Sequence, residues 1–484
     1  MTARRITVIG PVAAALTALV YFSVNPGPAL ARLGPLPLAA PMWAAFVAGV
    51  WLVRRAPLRW SVAIIVLGGI AVQAAALSAP PQRSTDLYRY IWDGQVQAAG
   101  IDPYQYVPAA PELASLRDPF LWPADGHFCV PPGARAAGHG EPLDPGCTRI
   151  NRPTVPTIYP PVAEAYFLTV RKASPPGGGS LPIQAGAAAA AIATTLLLLA
   201  GLRSLGRDMR LAVLWAWCPA VSLEAGNNGH VDVVAACLTA GALWALARAG
   251  PLRRMGGGAL LGLAITAKIT PLLVAPALLR GRRWPALASA ALAVTGLVYL
   301  PHIIVVGSKV IGFFPGYLRE EGYDTGSRFA LIGLAVPGRA AVVAAVGVLG
   351  AVAALVARHG DPDRPWRGAL VMTGAALLVT TPPFPWYALL LVMLAGFDGR
   401  AEWLALAAAR YPFGQVAVGY GLALAVIAAV SLARAYSARG MLPSRLGPLR
   451  LAGRLVSDPG GPAPGLPHAP GADAPTHAAT AAHR

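Results

Sequence analysis

Long apolar runs separated by short basic links recur along the chain. The runs lie near residues 6–24, 37–53, 59–79, 181–202, 209–224, 231–248, 256–280, 284–306, 338–357, 366–381, 384–397 and 401–436. Lys268 and Pro271 interrupt the run 256–280, and Arg410-Tyr411-Pro412 interrupts the run 401–436, so each is interpreted as a pair of helices. A transmembrane helix needs about 20 apolar residues, and most runs approach that length. The pattern predicts an all-α polytopic membrane protein with a bundle of about 12 to 14 transmembrane helices.

Composition and charge support this class. The 484 residues are 56% hydrophobic and 12% charged, about half the charged fraction of a soluble domain. The net charge of +18 is carried mainly by arginine. Many of these arginines lie in the links between runs: Arg54, Arg55, Arg59, Arg203, Arg207, Arg210, Arg248, Arg253, Arg254, Arg280, Arg282 and Arg283. Basic links are typical of cytoplasmic loops, so the charge indicates topology and no nucleic-acid partner is expected.

A loop of roughly one hundred residues, 80–180, separates the third run from the fourth. It holds nine of the 21 acidic residues of the chain and has no basic excess, which predicts an extracytoplasmic location. The apolar stretch after Tyr159-Pro160-Pro161 is interpreted as an interfacial helix, because a full span there would place the basic link Arg203–Arg210 outside. Cys129 and Cys147 in this loop are a candidate disulfide, with two unpaired thiols as the alternative.

The two ends of the chain are expected to be cytoplasmic. Arg4 and Arg5 precede the first run, which is interpreted as an uncleaved helix because no convincing cleavage site follows it. Residues 437–484 are rich in Arg, Pro, Gly, Ala and His, and this composition predicts a disordered tail. Residues 1–436 are therefore predicted to form one transmembrane domain.

Five polar clusters stand out in this apolar chain, and the charge bias places all five at the outer face. They are Ser84–Gly94, with Asp86, Tyr88, Arg89, Trp92 and Asp93; Glu224–Asp232, with Asn228 and His230; Lys268 with Thr266 and Thr270; the loop from Arg319 to Arg328; and Pro382–Tyr387, with Trp386 and Tyr387. An ionisable group near membrane depth is energetically costly and is a candidate for function.

Each cluster also has a purely structural interpretation. Asp86 and Asp93 can pair with Arg89 to order the loop, and Arg319 and Arg328 can pair with neighbouring acids. Asp232 can cap the following helix, and Lys268 can extend to lipid headgroups. Trp386 and Tyr387 can be interfacial aromatic residues.

The order of the motifs resembles the GT-C glycosyltransferases. The closest likeness is to polyprenol-phosphate-mannose-dependent mannosyltransferases of actinobacterial envelopes and their glycosyltransferase family 87 relatives. The motifs are Asp86–Gly94, Ile101-Asp102-Pro103-Tyr104, Tyr159-Pro160-Pro161, Pro219–Asp232, Thr266-Ala267-Lys268 with Pro271, and Pro385-Trp386-Tyr387. They cover most of residues 80–400. The chain departs from the family pattern at Asp102, where asparagine is common, and at Asn227-Asn228, where smaller residues are common.

The resemblance implies a GT-C-type enzyme that transfers a sugar from a polyprenyl-phosphate donor to a glycan or glycolipid acceptor at the outer face of the plasma membrane, with inversion. Asp86 is the candidate general base. The candidates for binding the donor phosphate are Lys268, Arg319, Arg328 and Arg89. The candidates for contacting sugar or acceptor are Tyr88, Trp92, Asp93, Asn228, His230, Asp232, Trp386 and Tyr387. His230 and Asp232 are alternatively expected to orient the base.

Three questions stay open at the level of sequence. The donor sugar is expected to be mannose, with arabinose or glucose as alternatives. No cofactor is expected, although Asp86, Asp93, His230 and Asp232 are of the residue types that bind a divalent metal. A secondary transporter is the alternative outside the enzymes, but it would show internal repeats and mid-membrane charges, which this sequence lacks.

Overall fold

The computed structural model describes residues 2–28, 30, 36–123, 148–248, 250–279, 284–411 and 414–438. The described residues form helices and connecting turns without strands, which confirms the predicted all-α class. Cys129 and Cys147, the candidate disulfide, lie outside the described residues, as does the predicted tail beyond residue 438.

The longer helices mostly follow the apolar runs, and two lie in the loop 80–180. They are α1 Thr2–Val24, α2 Leu36–Val53, α3 Leu58–Ala76, α4 Asp86–Ala98, α5 Pro161–Ala173, α6 Leu181–Ser204, α7 Asp232–Leu246, α8 Pro251–Ala267, α9 Trp284–Val306, α10 Arg339–His359, α11 Pro365–Thr380, α12 Leu389–Asp398 and α13 Val416–Ala438. Proline begins α5, α8 and α11, where its fixed φ suits the first helical turn and its missing N–H leaves no bond unmade.

Short helical pieces connect these helices. The α-helical pieces are Val213–Ala216, Pro219–Val221, Ala275–Leu278, Phe314–Glu320 and Ala405–Ala408. The 3₁₀ pieces are Pro111–Leu116, Met209–Ala212, Thr270–Val274, Gly307–Ile311, Ile332–Leu334, Pro385–Ala388 and Ala401–Leu404. Ser222–Asn227 is a π-helical turn; such turns are rare and are often found at functional sites.

Among the described residues, five helical stretches are long and apolar enough to cross a membrane: Leu58–Ala76, Leu181–Ser204, Trp284–Glu320, Arg339–His359 and Val416–Ser437. A sixth candidate is the pair Pro219–Asn227 and α7, which is bent by 119°. Val8–Val24, Pro37–Val53 and Pro385–Asp398 are shorter apolar helices. The protein is therefore a polytopic membrane protein, and a total of 12 to 14 spans stays a prediction that depends on the shorter helices.

The interruption predicted in the run 256–280 is present. Helix α8 ends at Ala267, Lys268 has an extended backbone with φ −156° and ψ 143°, and a 3₁₀ turn begins at Thr270. Pro271 contributes to the break, because it lacks the N–H that would bond to the carbonyl of Ala267 in a continuous helix. The break places the Lys268 side chain in a polar cluster at the helix end.

The described residues of the loop 80–180, namely 80–123 and 148–180, form a layer with its own apolar core. Helix α5 has 13 residues, too few to cross a bilayer, and it packs against α4. Leu87, Tyr90 and Phe167 are fully buried between the two helices and α6. Gly94 permits the close approach, because a Cβ there would lie 2.6 Å from the carbonyl oxygen of Phe167. The packing fixes α4, whose first residue is Asp86, on the transmembrane helices.

Candidate active site

A cavity of about 1440 Å³ is lined by residues of the loop layer and of the transmembrane helices. One end is polar and includes Asp86, Tyr88, Arg149, Asn151, Arg152, Tyr159 and Lys268. A long apolar wall is built from Ile265, Ile269, Leu272, Leu273, Pro276, Val310, Ile311, Phe313, Leu349, Met372, Ala376 and Leu377. The cavity can therefore hold a molecule with a polar head and a long apolar chain.

Asp86 lines the polar end at the start of α4. Its Oδ1 accepts a hydrogen bond from Asn151 Nδ2 at 2.6 Å, and its Oδ2 lies 3.9 Å from Nδ1 of His230. The side chain is 20% exposed, so one carboxylate edge faces the cavity. The helix N-terminus favours a negative charge at this position.

His230 lies behind Asp86 and does not line the cavity. Its ring is fully buried and stacks on the ring of Trp386, with centroids 3.9 Å apart. Its Nε2 lies 3.6 Å from Oε2 of Glu224. Glu224 is also fully buried and accepts hydrogen bonds from Tyr411 Oη at 2.7 Å and from Asn228 Nδ2 at 2.9 Å. The turn 224–232 thus forms a buried polar wall behind Asp86.

Lys268 brings a cation to the cavity wall. Its ammonium lies 3.2 Å from Asp232 Oδ2 and 5.5 Å and 5.9 Å from the ring centroids of Tyr159 and Tyr387. Asp232 is buried behind Lys268, in the first turn of α7. The Asp232 carboxylate therefore balances the Lys268 charge at the cavity wall.

Arg328 is a second cation on the wall. It pairs with Glu321 and lies 5.2 Å and 5.9 Å from the ring centroids of Tyr323 and Tyr387. The hydroxyls of Tyr387 and Tyr317 are in hydrogen-bond contact. Burial raises the pKa of the Glu321 carboxyl, an effect that the Arg328 guanidinium opposes.

Arg152 joins the loop layer to the helix Phe314–Glu320. Its guanidinium forms an ion pair with Glu320, with Nε 3.1 Å from both carboxylate oxygens. Burial lowers the pKa of Arg152, but the hydrogen bond and charge of Glu320 outweigh it, so the pKa is raised. Arg152 also has a left-handed backbone with φ 49°, which is uncommon for a residue with a side chain. The loop 148–152 is therefore fixed on the cavity.

Arg89 reaches the cavity edge but is committed to the loop layer. Its Nε donates to Asp93 at 2.9 and 3.0 Å, and its Nη1 donates to the Val155 carbonyl at 3.1 Å. Burial raises the pKa of Asp93. Burial, together with the negative charge of Asp93, also raises the pKa of the neighbouring Glu164 well above its ordinary value. The loop-ordering interpretation of Arg89 and Asp93 thus has a clear geometric basis.

The structure separates the candidates into three groups. On the cavity wall lie Asp86, Tyr88, Arg89, Lys268, Arg328, Trp386 and Tyr387. Buried behind it lie Trp92, Asp93, Asn228, His230 and Asp232, which are shielded from a bound sugar in this arrangement. Arg319 is exposed outside the cavity.

Several site residues carry no signal in the sequence. Asn151, Arg152 and Tyr317 line the cavity from segments without a motif, and Tyr411 reaches Glu224 from 187 positions away. A tertiary contact of this kind leaves no local pattern to detect. Among the described residues, no group of three or more His, Cys, Asp or Glu side chains is arranged to hold a metal ion.

The comparisons with known proteins bear on the transmembrane part of this site. The model of glycosyltransferase family 87 matches residues 157–382. The matched segment contains Tyr159, His230, Lys268 and Arg328, whereas Asp86 precedes it. No curated protein and no solved structure matches the chain.

Proposed function

We propose that this membrane protein is a glycosyltransferase of family 87, whose model matches residues 157–382, and that it transfers mannose from polyprenyl-phosphate-mannose to a glycan or glycolipid acceptor. The reaction takes place at the outer face of the plasma membrane, where the acceptor is available. The observation that carries the proposal is one cavity whose lining combines the Asp86 carboxylate and the cations Lys268 and Arg328 with a long apolar wall. A prenyl-phosphate sugar has the same division into polar head and apolar chain.

The donor chain is assigned to the apolar wall. Leu272, Leu273 and Pro276 line it after the break in α8, and Met372 and Ala376 line it from α11. Burying apolar surface contributes about 25 cal/mol per Å², so a long chain can bind without any polar contact. Ile269 and Leu272 follow Lys268 closely in the chain and line the same cavity, which supports an arrangement with the donor phosphate next to that ammonium.

The donor phosphate is assigned to Lys268 and Arg328. Both side chains line the cavity, and each is balanced by a single carboxylate, Asp232 and Glu321 respectively. Fixed cations stabilise the charge that develops on a leaving phosphate without reorganising during the reaction. Arg319, which is exposed outside the cavity, has no role in this assignment.

The transfer itself is assigned to Asp86. The acceptor oxygen attacks the anomeric carbon, the bond from that carbon to the phosphate oxygen breaks, and the electron pair leaves with the prenyl phosphate. The proton of the acceptor hydroxyl passes to Asp86. A positioned general base commonly contributes about 10²- to 10⁴-fold to such a step. A single displacement inverts the anomeric centre, so a β-linked donor gives an α-linked product.

The proposal is tested with radiolabelled donors in membranes that carry the protein in place of the chromosomal copy. Transfer from polyprenyl-phosphate-mannose, and none from GDP-mannose, supports it. Transfer only from the corresponding glucose or arabinose donor would overturn the choice of mannose. If no prenyl-linked sugar is transferred and vesicles accumulate a solute, the protein is a transporter.

A second arm tests the apolar wall. Ala376→Phe fills the wall, and Ala351→Phe adds the same ring at an exposed position of α10. We expect Ala376→Phe to lose transfer from a long-chain donor and to retain it from a short-chain donor, with Ala351→Phe unchanged for both. Equal behaviour of the two variants would contradict the assignment of the chain.

A further inference from the structure

His230 is a buried ionisable residue that the transfer chemistry described above leaves unused. Its ring is fully buried, and neither ring nitrogen has a hydrogen-bond partner among the described residues. Buried polar atoms are nearly always paired, so each exception needs an explanation. Its burial also prevents direct contact with a sugar in the cavity.

The ring of His230 lies between two carboxylates. Its Nδ1 is 3.9 Å from Oδ2 of Asp86, and its Nε2 is 3.6 Å from Oε2 of Glu224. Both distances exceed a hydrogen bond by less than about 1 Å. The only stacking partner among the described residues, Trp386, lies parallel to within 23°, so the imidazole can slide in its own plane without unstacking.

Glu224 gives the ring a fixed reference point. It accepts hydrogen bonds from Tyr411 Oη and Asn228 Nδ2, which hold its two oxygens in place. A proton carried by Glu224 and donated to Nε2 of His230 would satisfy that side and leave the single ring proton on Nδ1. The other ring nitrogen is then directed at Asp86.

The turn 224–232 also forms hydrogen bonds with the backbone just before Asp86. Asn227 Oδ1 accepts from the Gln82 N–H at 3.0 Å, and Asn228 Oδ1 accepts from the Arg83 N–H at 3.1 Å. Both contacts join positions 145 residues apart. The asparagine pair that departs from the family pattern thus fixes the chain just before Asp86.

The charged groups near His230 are few in the described part of the chain. Asp86 and Glu224 face its two nitrogens, the Lys268–Asp232 pair lies beyond them, and the Arg83 guanidinium lies 5.2 Å from the ring centroid of Tyr411. The two nearest groups are both acids. A proton on Nδ1 of the ring is therefore directed at Asp86, and a proton on Nε2 is directed at Glu224.

We propose that His230 is a positioning residue for Asp86. A shift of about 1 Å brings Nδ1 of the imidazole within hydrogen-bond distance of Oδ2 of Asp86, so that Nδ1–H is donated to Oδ2 while Asn151 donates to Oδ1. The carboxylate is then fixed in one orientation, with its remaining lone pair facing the acceptor hydroxyl. The inference rests on the proposed role of Asp86 as general base.

The first test uses His230→Phe, His230→Gln and the double variant with Asp86→Asn, assayed with radiolabelled polyprenyl-phosphate-mannose. We expect His230→Phe to lower kcat roughly 10- to 100-fold with the donor KM within about twofold. His230→Gln, which keeps an N–H donor, recovers part of the loss. The double variant is no slower than Asp86→Asn alone, because His230 acts only through Asp86. A further loss in the double variant, or a rise in donor KM at constant kcat, would overturn the proposal.

The second test does not depend on activity. A water-soluble carbodiimide labels protonated carboxyls, and mass spectrometry follows labelling of Asp86 against pH. Loss of a donor to the carboxylate favours its protonated form, so half-labelling of Asp86 in His230→Phe moves to higher pH than in the wild type. Thr239→Val, a buried substitution in α7, leaves it unchanged. An unchanged labelling midpoint in His230→Phe would overturn the inference about His230. A failure to transfer any prenyl-linked sugar would overturn the proposed function instead, and the labelling result can be read independently of it.

Discussion

The Asp86 carboxylate and the Asn151 side-chain amide form a 2.6 Å hydrogen bond between positions 65 residues apart in the chain. The bond joins the start of α4 to the segment 148–152, and both line the cavity. The bond fixes Oδ1 of the Asp86 carboxylate and leaves Oδ2 available for another contact. The proposed base is therefore oriented before any substrate arrives.

Asn151→Ala is expected to lower kcat roughly 10- to 100-fold, because a hydrogen bond to a charged group contributes about 1.5–3 kcal/mol. The donor KM changes little, since Asn151 is not assigned to the phosphate. Initial rates at several donor concentrations separate the two constants. Activity within twofold of the wild type would show that Asn151 does not orient Asp86.

Arg328 and Arg319 provide a matched pair of substitutions. Arg328 lines the cavity beside Tyr387, whereas Arg319 is exposed outside it. We expect Arg328→Gln to reduce transfer by about 10²-fold or more, as is common for groups that stabilise developing charge. Arg319→Gln retains wild-type activity. The comparison uses proteins with matched thermal midpoints, and equal losses in the two variants would remove Arg328 from the phosphate site.

Substitutions of Lys268 and of Asp232 are expected to change the binding of the prenyl-phosphate product in opposite directions. Lys268→Gln removes a cation from the wall and weakens inhibition by prenyl phosphate. Asp232→Asn removes the carboxylate that lies 3.2 Å from the ammonium, so the lysine charge is freed and inhibition strengthens. A change of 1.4 kcal/mol corresponds to about tenfold in the inhibition constant. If both substitutions weaken inhibition, Lys268 has only a structural role.

The raised pKa of the Glu164 carboxyl makes the stability of the folded protein depend on pH. Burial and the charge of Asp93 raise its pKa well above the ordinary value near 4.3. The folded state therefore binds a proton that the unfolded state releases, and this contribution is lost as pH rises through the folded pKa. Above about pH 4.3, the thermal midpoint of the wild type should decrease with rising pH more steeply than that of Glu164→Gln. Glu112→Gln, at an exposed position, serves as the control and should follow the wild type.

The sequence predicts the positions of the helices better than the side-chain contacts between distant segments. The apolar runs locate the helices, and Lys268 with Pro271 marks the break after α8, because these features act locally along the chain. The polar clusters identify Asp86, Lys268 and Arg328, since charge is rare in such a sequence. The topology, plasma-membrane location and helix total are still predictions, because they depend on the position of the bilayer.

The division between cavity wall and buried support is not visible in the sequence. Trp92 belongs to the same motif as Tyr88, which lines the cavity, yet Trp92 packs against Trp122 and does not line it. His230 belongs to another polar cluster and packs against Trp386, and it does not line the cavity either. Which face of a short helix points to the cavity depends on packing with distant segments. Asn151 and Tyr411 enter the site only through such long-range packing.

The most direct measurement compares Asp86→Asn with Asp102→Asn in the transfer of radiolabelled mannose from polyprenyl-phosphate-mannose. Asp102 belongs to the same loop, but it pairs with His302 at 2.7 Å and does not line the cavity. We expect Asp86→Asn to lower transfer at least about 10²-fold, with donor binding retained, while Asp102→Asn keeps most of the activity. Asp86→Asn protein that transfers mannose at the wild-type rate would contradict the role of Asp86 as general base.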